Sequence, residues 1–494
     1  MQIPFTNRYV SLGEGFFEKI RPTPVKKPEI IKFNDALARE LGISTSQVAA
    51  SGAAVFSGNR LPEGAEPLAM AYAGHQFGQF NPQLGDGRAL LLGEVKGPDG
   101  ALYDIHLKGS GPTRFSRNGD GRSALGPVLR EYLASEAMHK LNVPTTRALA
   151  AVTTGEPVAR ERLVPGGVIT RVASSFVRVG TFQYFAVRDD YDSVQQLADY
   201  VIEKNYPQVG DHNNPYVAFL EAVVERQAAL IAQWMQLGFI HGVMNTDNMS
   251  VAGETIDYGP CAFMDAYQHD QVFSSIDRQG RYAYSNQPSI GLWNLTRLAE
   301  TLLPLFDDDP ETAVKVAQDV LEGYAGRYAS QWLAGMRAKC GLTACPDANG
   351  ADDKALVEAL LDVMADNQAD FTLTFYHLSR LADQSSDRDK DLTNLFEDLA
   401  QIDAWLEKWR QRLSLETQGN EARQAAMQAI NPVYIPRNHQ IEAAIRAAED
   451  EDDFSVFHAL HAVLQDPYAL QAGKESYMQA PQPEEVVEYT FCGT

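Results

Sequence analysis

Long apolar runs are missing from this 494-residue chain. No stretch reaches the ~18 consecutive apolar residues that suggest a membrane-spanning helix. The nearest approach, "AALIAQWMQLGFI", is broken by Gln233 and Gln236 and reads as a buried helix. The opening "MQIPFTNRYVSLGEGFF" has no basic segment followed by an apolar one, and no Arg- and Ser-rich presequence, so neither secretion nor organelle import is expected. Cysteine is scarce, with four in the chain, which excludes a disulfide framework and fits a reducing, cytoplasmic setting. Cys340 and Cys345 have no His or further Cys beside them to complete a zinc site. Positive charge is short: 42 Lys and Arg against 65 Asp and Glu leave −23. Such a field repels nucleic acid, and neither nucleic acid nor membrane is expected as a partner; an acidic surface of this kind serves solubility. No repeat of fixed period occurs. "ADQSSDRDKDL" and "AAEDEDDF" are charge-dense, but they lack the ligand register and sixth-position Gly of a calcium loop and read as solvated loops or helix starts.

The chain has 45% hydrophobic and 22% charged residues, the composition of a globular protein. It is too long for one core of ~100–200 residues. "IIKFNDALARELGI" predicts an early helix with a stripe of Phe33, Leu37, Leu41 and Ile43. Gly85-Asp86-Gly87 predicts a hairpin turn between extended runs. "LYDIHLKGSG" then alternates, with Leu102, Asp104, His106 and Lys108 on one face and Tyr103, Ile105 and Leu107 on the other. It is a strand that ends in a lysine. A marked helix is predicted over about 126–141, with Leu129, Leu133 and Ala137 on one side and Arg130, Glu131 and Glu136 elsewhere. "RALAAVTTGEPVARERLVPGGVITRVASSFVRVGTFQYF" reads as several strands with Gly and Pro turns. From "DSVQQLADYVIEKNY" onward helices dominate, at about 215–238, 291–306, 310–337, 353–366, 370–382, 391–415, 420–429, 438–449 and 454–464. The expected division is residues 1–190, a β-rich part with one marked helix; 191–475, a helical part; and 476–494, an extended, mobile tail.

"HGVMNTDNMSVAGETIDYGP", residues 241–260, carries the chemistry. It resembles a protein-kinase catalytic loop, H-R-D-x-x-x-x-N, followed by that fold's metal-binding D-F-G. His241 and Asn248 keep the kinase spacing, but Val243 stands where the catalytic Asp would be, and Asp247 directly precedes the Asn. Asn248 and Asp257 offer one amide oxygen and one carboxylate, a donor pair suited to a hard divalent cation that also binds phosphate; a capping Asn and a turn Asp are the plainer reading of either alone. Lys108 falls where kinases keep a phosphate-pairing lysine, with Glu131 as its helix partner and Glu136 as the rival. "LGDGRA" permits close approach of backbone to phosphate, though an ordinary hairpin uses the same residues. Arg88, the later "NGDGR" with Asp120 and Gly121, and Arg171 and Arg178 in "TRVASSFVRVG" add guanidiniums and polar turns; Arg clusters bind phosphates bidentately, and strand-edge Arg at the surface fits the spacing equally well. β-rich residues with one helix, then a helical part, give an α+β, protein-kinase-like bilobal fold with a larger helical C-lobe.

"YAGHQFGQFNPQLGDGRA", "HLKGSGPTRFSRNGDGRSALGPVLREYL", "HGVMNTDNMSVAGETIDYGPCAFMD", "NPVYIPRN" and a Cys third from the C-terminus together resemble the selenoprotein O family over nearly the whole chain. The resemblance implies transfer of AMP from ATP to Ser, Thr or Tyr hydroxyls of proteins, with the nucleotide flipped relative to kinases so that the α-phosphate faces the acceptor. It implies Asp247 as general base, and Asn248 and Asp257 as ligands of Mg2+ or Mn2+. Lys108, Arg171 and Arg178 would bind phosphates, and Glu131 would hold Lys108. Gly85, Gly87, Arg88, Asp120 and Gly121 would line the nucleotide site. A neighbouring metal ligand should keep the Asp247 pKa low. UMP transfer from UTP with manganese, and an inactive ATP-binding scaffold, are the alternatives; the chain itself is one conceivable acceptor. In the family the C-terminal Cys, here Cys492, can pair with a Cys in the loop after the metal motif. Phe273 stands there instead, and Cys261 lies nearer that motif, so a regulatory disulfide is not expected.

Overall fold

The computed structural model describes residues 3–343, 351–381 and 386–490. It is a mixed α/β structure built on an eight-stranded sheet. In chain order the strands are β1 (Phe17–Lys19), β2 (Glu29–Phe33), β3 (Leu68–Met70), β4 (Gly74–Gln76), β5 (Gln79–Asn81), β6 (Ala89–Lys96), β7 (Leu102–Lys108), β8 (Ser123–Ala124), β9 (Arg147–Ala159), β10 (Leu163–Ala173), β11 (Phe239–Ile240) and β12 (Ala262–Phe263). The large sheet runs β1-β3-β6-β7-β10-β9-β2, with β8 added to β10, and every pairing is antiparallel. Two short pairs, β4–β5 and β11–β12, lie outside it.

β7 behaves as its alternation predicts. Ile105 and Leu107 enter an apolar core with Leu92, Val152 and Val172. Asp104, His106 and Lys108 are turned to the opposite face, yet all three are buried. Buried polar groups need partners, and these partners build the site described below. The tight turn before β7 is Gly97-Pro98-Asp99-Gly100, closed by Gly97 N–H to Ala101 O at 2.8 Å. Gly85-Asp86-Gly87 is therefore not the hairpin turn expected: Leu84 and Asp86 donate to Tyr72 and Met70 carbonyls, so this segment prolongs the β3 edge before β6 begins.

The marked helix runs Leu125–Lys140 and is buried nearly all round, charged residues included. It packs between β9 and β10 on one side and the helices Asn438–Glu451 and Ser455–Val463 on the other. A helix enclosed in this way has no solvent face, so Glu131 and Glu136 must both be paired internally. The Pro215–Leu237 helix starts with Asn214 accepting from Tyr216 and Val217 N–H, has Pro215 in its first turn, and stops at left-handed Gly238. It delivers the chain into β11 and the 241–257 loop.

Three further expectations are revised. "VGTFQYFA" is a helix, Val179–Ala186, and is not part of a strand; at its start Arg178 N–H donates to Thr181 Oγ1 at 3.1 Å and Thr181 N–H to Arg178 O at 3.0 Å. Phe33 belongs to β2, and the early helix is only Asp35–Glu40, capped by Asn34. The predicted 391–415 helix is two, Ser386–Thr393 and Leu399–Leu413, because Asp398 caps the second by accepting from Ala400 and Gln401 N–H. From Pro483 to Tyr489 the tail is largely exposed, but Thr490 is buried: its hydroxyl donates to Pro260 O at 2.5 Å and its N–H to Phe273 O at 2.7 Å. Cys345 and Cys492 lie outside the described residues; Cys261 and Cys340 are buried.

Candidate active site

Strand register brings the first groups together. In β7 and β10, His106 faces Arg171 and Lys108 faces Ile169. The Leu125–Lys140 helix crosses behind and presents Glu131. Lys108 Nζ is 2.6 Å from Glu131 Oε2 and 3.6 Å from Asp257 Oδ1. Arg171 Nη1 lies 3.1 Å from Glu131 Oε1 and 2.6 Å from Asp257 Oδ1. Arg178, at the start of the Val179–Ala186 helix, pairs with Asp257 Oδ2 and also donates to the Asp247 carbonyl at 2.5 Å. Three cations thus converge on Glu131 and Asp257. Asp257 is a non-glycine residue at φ 59°. A left-handed residue of this kind is uncommon, and here it turns the carboxylate toward the arginines.

The electrostatics follow from this crowd. Burial alone would raise the Asp257 pKa, but Arg178, Arg171 and Lys108 outweigh it and hold the carboxyl well below its ordinary value. Burial likewise opposes Glu131 ionisation, and Lys108 and Arg171 reverse it, so its pKa is lowered. Asp247 differs. Burial pushes it up to about 6, with the Gln76 hydrogen bond and Arg178 pulling only partly back. Most of the guanidinium charge is directed at Asp257, and Asp247 is hydrogen-bonded through one oxygen only, so burial decides the direction in the absence of a metal ion.

Glu136, the rival partner for Lys108, binds Arg147 at 2.9 Å and Asn34 at 2.8 Å instead. Asn248 donates Nδ2 to Val243 O at 3.0 Å, leaving its amide oxygen as the atom for a ligand. His241 braces the loop, its Nε2 2.8 Å from Ile256 O. Gly85 and Gly87 face protein: a Cβ on Gly87 would come within 2.9 Å of Phe115 O, and one on Gly85 would strike the Phe115 ring. The Arg88 carbonyl accepts from Gly109 N–H at 2.7 Å, and the Gly121 carbonyl from Gly111 N–H at 2.9 Å. Asp120 pairs with Arg160 at 2.9 Å. The backbone of these segments frames the loops beyond Lys108.

Sequence reasoning missed Asp86, His106 and Gln76. His106 accepts at Nδ1 from Arg171 at 2.9 Å, so its Nε2–H donates to Asp86 Oδ2 at 3.0 Å. Gln76 Nε2 donates to Asp247 Oδ2 at 3.0 Å. His106 had a signal, since it shares the strand face of Lys108; Gln76 had none beyond its place in the "GHQFGQF" segment.

Comparison with known proteins decides the family. Residues 1–465 match the family described as "Protein adenylyltransferase SelO". The chain belongs to the SelO family. Its SelO-type relatives include a protein nucleotidyltransferase YdiU of Rhizobium rhizogenes, 58% identical over 492 residues, covering 100% of this chain and 97% of the relative. The YdiU of a Bradyrhizobium strain is 57% identical over 495 residues and covers both chains completely. That of Rhizobium meliloti is 56% identical, with 99% of each chain covered.

The donor set suits the divalent metal that nucleotide transfer calls for. Among the described residues no three His, Cys, Asp or Glu gather into a self-sufficient metal site. One ionised carboxylate and one amide oxygen, with phosphate oxygens and water completing the shell, is the arrangement expected for magnesium.

Proposed function

We propose that this SelO protein transfers AMP from ATP to Ser, Thr or Tyr hydroxyls of proteins and releases pyrophosphate. The observation that carries the reading is the convergence of Lys108, Arg171 and Arg178 on Asp257, joined to Asp247 through Arg178. In the proposed reaction the acceptor hydroxyl oxygen bonds to the α-phosphorus and its proton passes to Asp247. The bond from that phosphorus to the α,β-bridging oxygen breaks, and pyrophosphate departs with the electron pair. Attack at the α-phosphorus leaves a highly charged leaving group, which three fixed cations would neutralise without reorganisation. Asn248 and Asp257 would hold magnesium or manganese, which supplies further charge neutralisation on the phosphates. Glu131 would set Lys108 in place.

The same reading includes a kinase-like bilobal arrangement, residues 1–190 forming the β-rich lobe and 191–475 the helical lobe, with 476–494 as a tail. Cytoplasmic action on protein acceptors, the chain itself among them, belongs to the proposal. Among the described residues no helix is long and apolar enough to cross a membrane. Purified protein incubated with magnesium and ATP labelled at the α- or the γ-phosphorus tests the reaction. Label retained from the α-position alone supports it. Label from the γ-position alone makes the protein a kinase, and no label from either, with ATP still bound, favours the scaffold.

A further inference from the structure

We infer that Gln76 is a positioning residue for Asp247, and that the β4–β5 hairpin fixes the orientation in which Asp247 receives the acceptor's proton. This rests on the assignment of Asp247 as base. The hairpin is pinned to the residues just before it. His75 N–H donates to Thr246 Oγ1 at 2.7 Å, and Phe77 N–H to Asn245 Oδ1 at 3.1 Å. Gln183 ties the two segments together, accepting from Thr246 Oγ1 at 2.6 Å and reaching His75 Nδ1 at 2.9 Å. The tip residue Phe77 is held at φ 51°, a left-handed conformation for a non-glycine residue.

On this frame the two oxygens of Asp247 become distinct. Oδ2 accepts from the Gln76 amide at 3.0 Å. Oδ1 is buried and has no hydrogen-bond partner. A buried carboxylate oxygen left alone is costly, and such groups persist where a ligand supplies the missing donor. An acceptor hydroxyl is such a donor. Gly74 packs closely against Oδ1, and a Cβ there would stand 2.5 Å from that oxygen. The chemistry of Gln76 also fits. A neutral amide fixes the carboxylate without a charge. A lysine or arginine in its place would bind the carboxylate more strongly and weaken it as a base.

The test uses the full chain, α-labelled ATP and a generic basic acceptor protein, and compares wild type with Gln76→Met, Gln76→Glu, Gly74→Ala and Asp247→Asn. Transfer rate at saturating ATP, affinity for a fluorescent ATP analogue and Tm are read for each. Gln76→Met fills the same space without a donor and should slow transfer about tenfold or more, with nucleotide affinity and Tm unchanged. Gln76→Glu, which sets a second carboxylate against Oδ2, should be slower still, and Gly74→Ala should slow transfer by crowding Oδ1. Wild-type rates in both Gln76 variants, or losses matched by losses of nucleotide affinity or Tm, overturn the inference while leaving Asp247 as base. Transfer retained in Asp247→Asn overturns the base assignment and the inference with it.

Discussion

Arg178 and Asp257 form the junction between the metal-motif carboxylate and the proposed base: one guanidinium nitrogen reaches both the Asp257 carboxylate and the Asp247 carbonyl. The guanidinium is buried, and its cation also lies 4.8 Å from the Tyr72 ring centre. Lysine carries the charge but not the planar, delocalised cation set over that ring. Arg178→Lys should therefore lower transfer about 100-fold, a loss of the size expected when a preorganised charge contact is removed. Nucleotide affinity should fall far less. Steady-state labelling beside nucleotide titration checks the difference.

Glu131 and Glu136 lie on one buried helix and should respond differently. Glu131→Gln removes the charge that holds Lys108 and Arg171, so ATP affinity and transfer should both drop. Glu136→Gln leaves Arg147 short of its nearest partner and should destabilise by about 3 kcal/mol, the usual cost of breaking a buried pair. ATP affinity of the folded fraction should be unchanged. Denaturant melts and nucleotide titrations on both variants separate the roles.

His461 makes the same helix sensitive to acid. It packs 5.5 Å from the Tyr132 ring, centre to centre, next in sequence to Glu131. Burial, with Lys32 nearby, lowers its pKa to about 4 from 6.5. Between those values the unfolded chain binds a proton that the folded chain refuses, so stability is full above pH 6.5 and falls as pH drops toward 4. At pH 5 the loss from this group is about 2 kcal/mol. His461→Phe should flatten the fall of Tm between pH 7 and pH 5, which thermal melts across that range would show.

Much of the candidate site was legible because it rests on local pattern. Lys108 follows from the alternation of β7, and Asn248 and Asp257 from their order in one loop. Sequence placed Glu131 ahead of its rival Glu136 as the partner of Lys108, and the fold agrees: Glu131 meets Lys108 while Glu136 meets Arg147. Gly85-Asp86-Gly87 misled because a hairpin turn and a close approach to another loop call for the same residue. The glycines are needed at Phe115, some 30 positions away in the chain. Gln76 lies 171 residues from Asp247, a distance no spacing rule covers. The burial of Asp247 and the competition of Asp257 for the arginines likewise arise only in the fold.

The most direct measurement compares ATP binding with AMP transfer in Asp247→Asn and Asp257→Asn. Asp247→Asn should bind ATP as wild type does and lose transfer by 100-fold or more, since it keeps the cation cluster and removes only the base. Asp257→Asn should lose both magnesium-dependent binding and transfer. Wild-type transfer by Asp247→Asn would contradict the account, whatever the behaviour of Asp257→Asn.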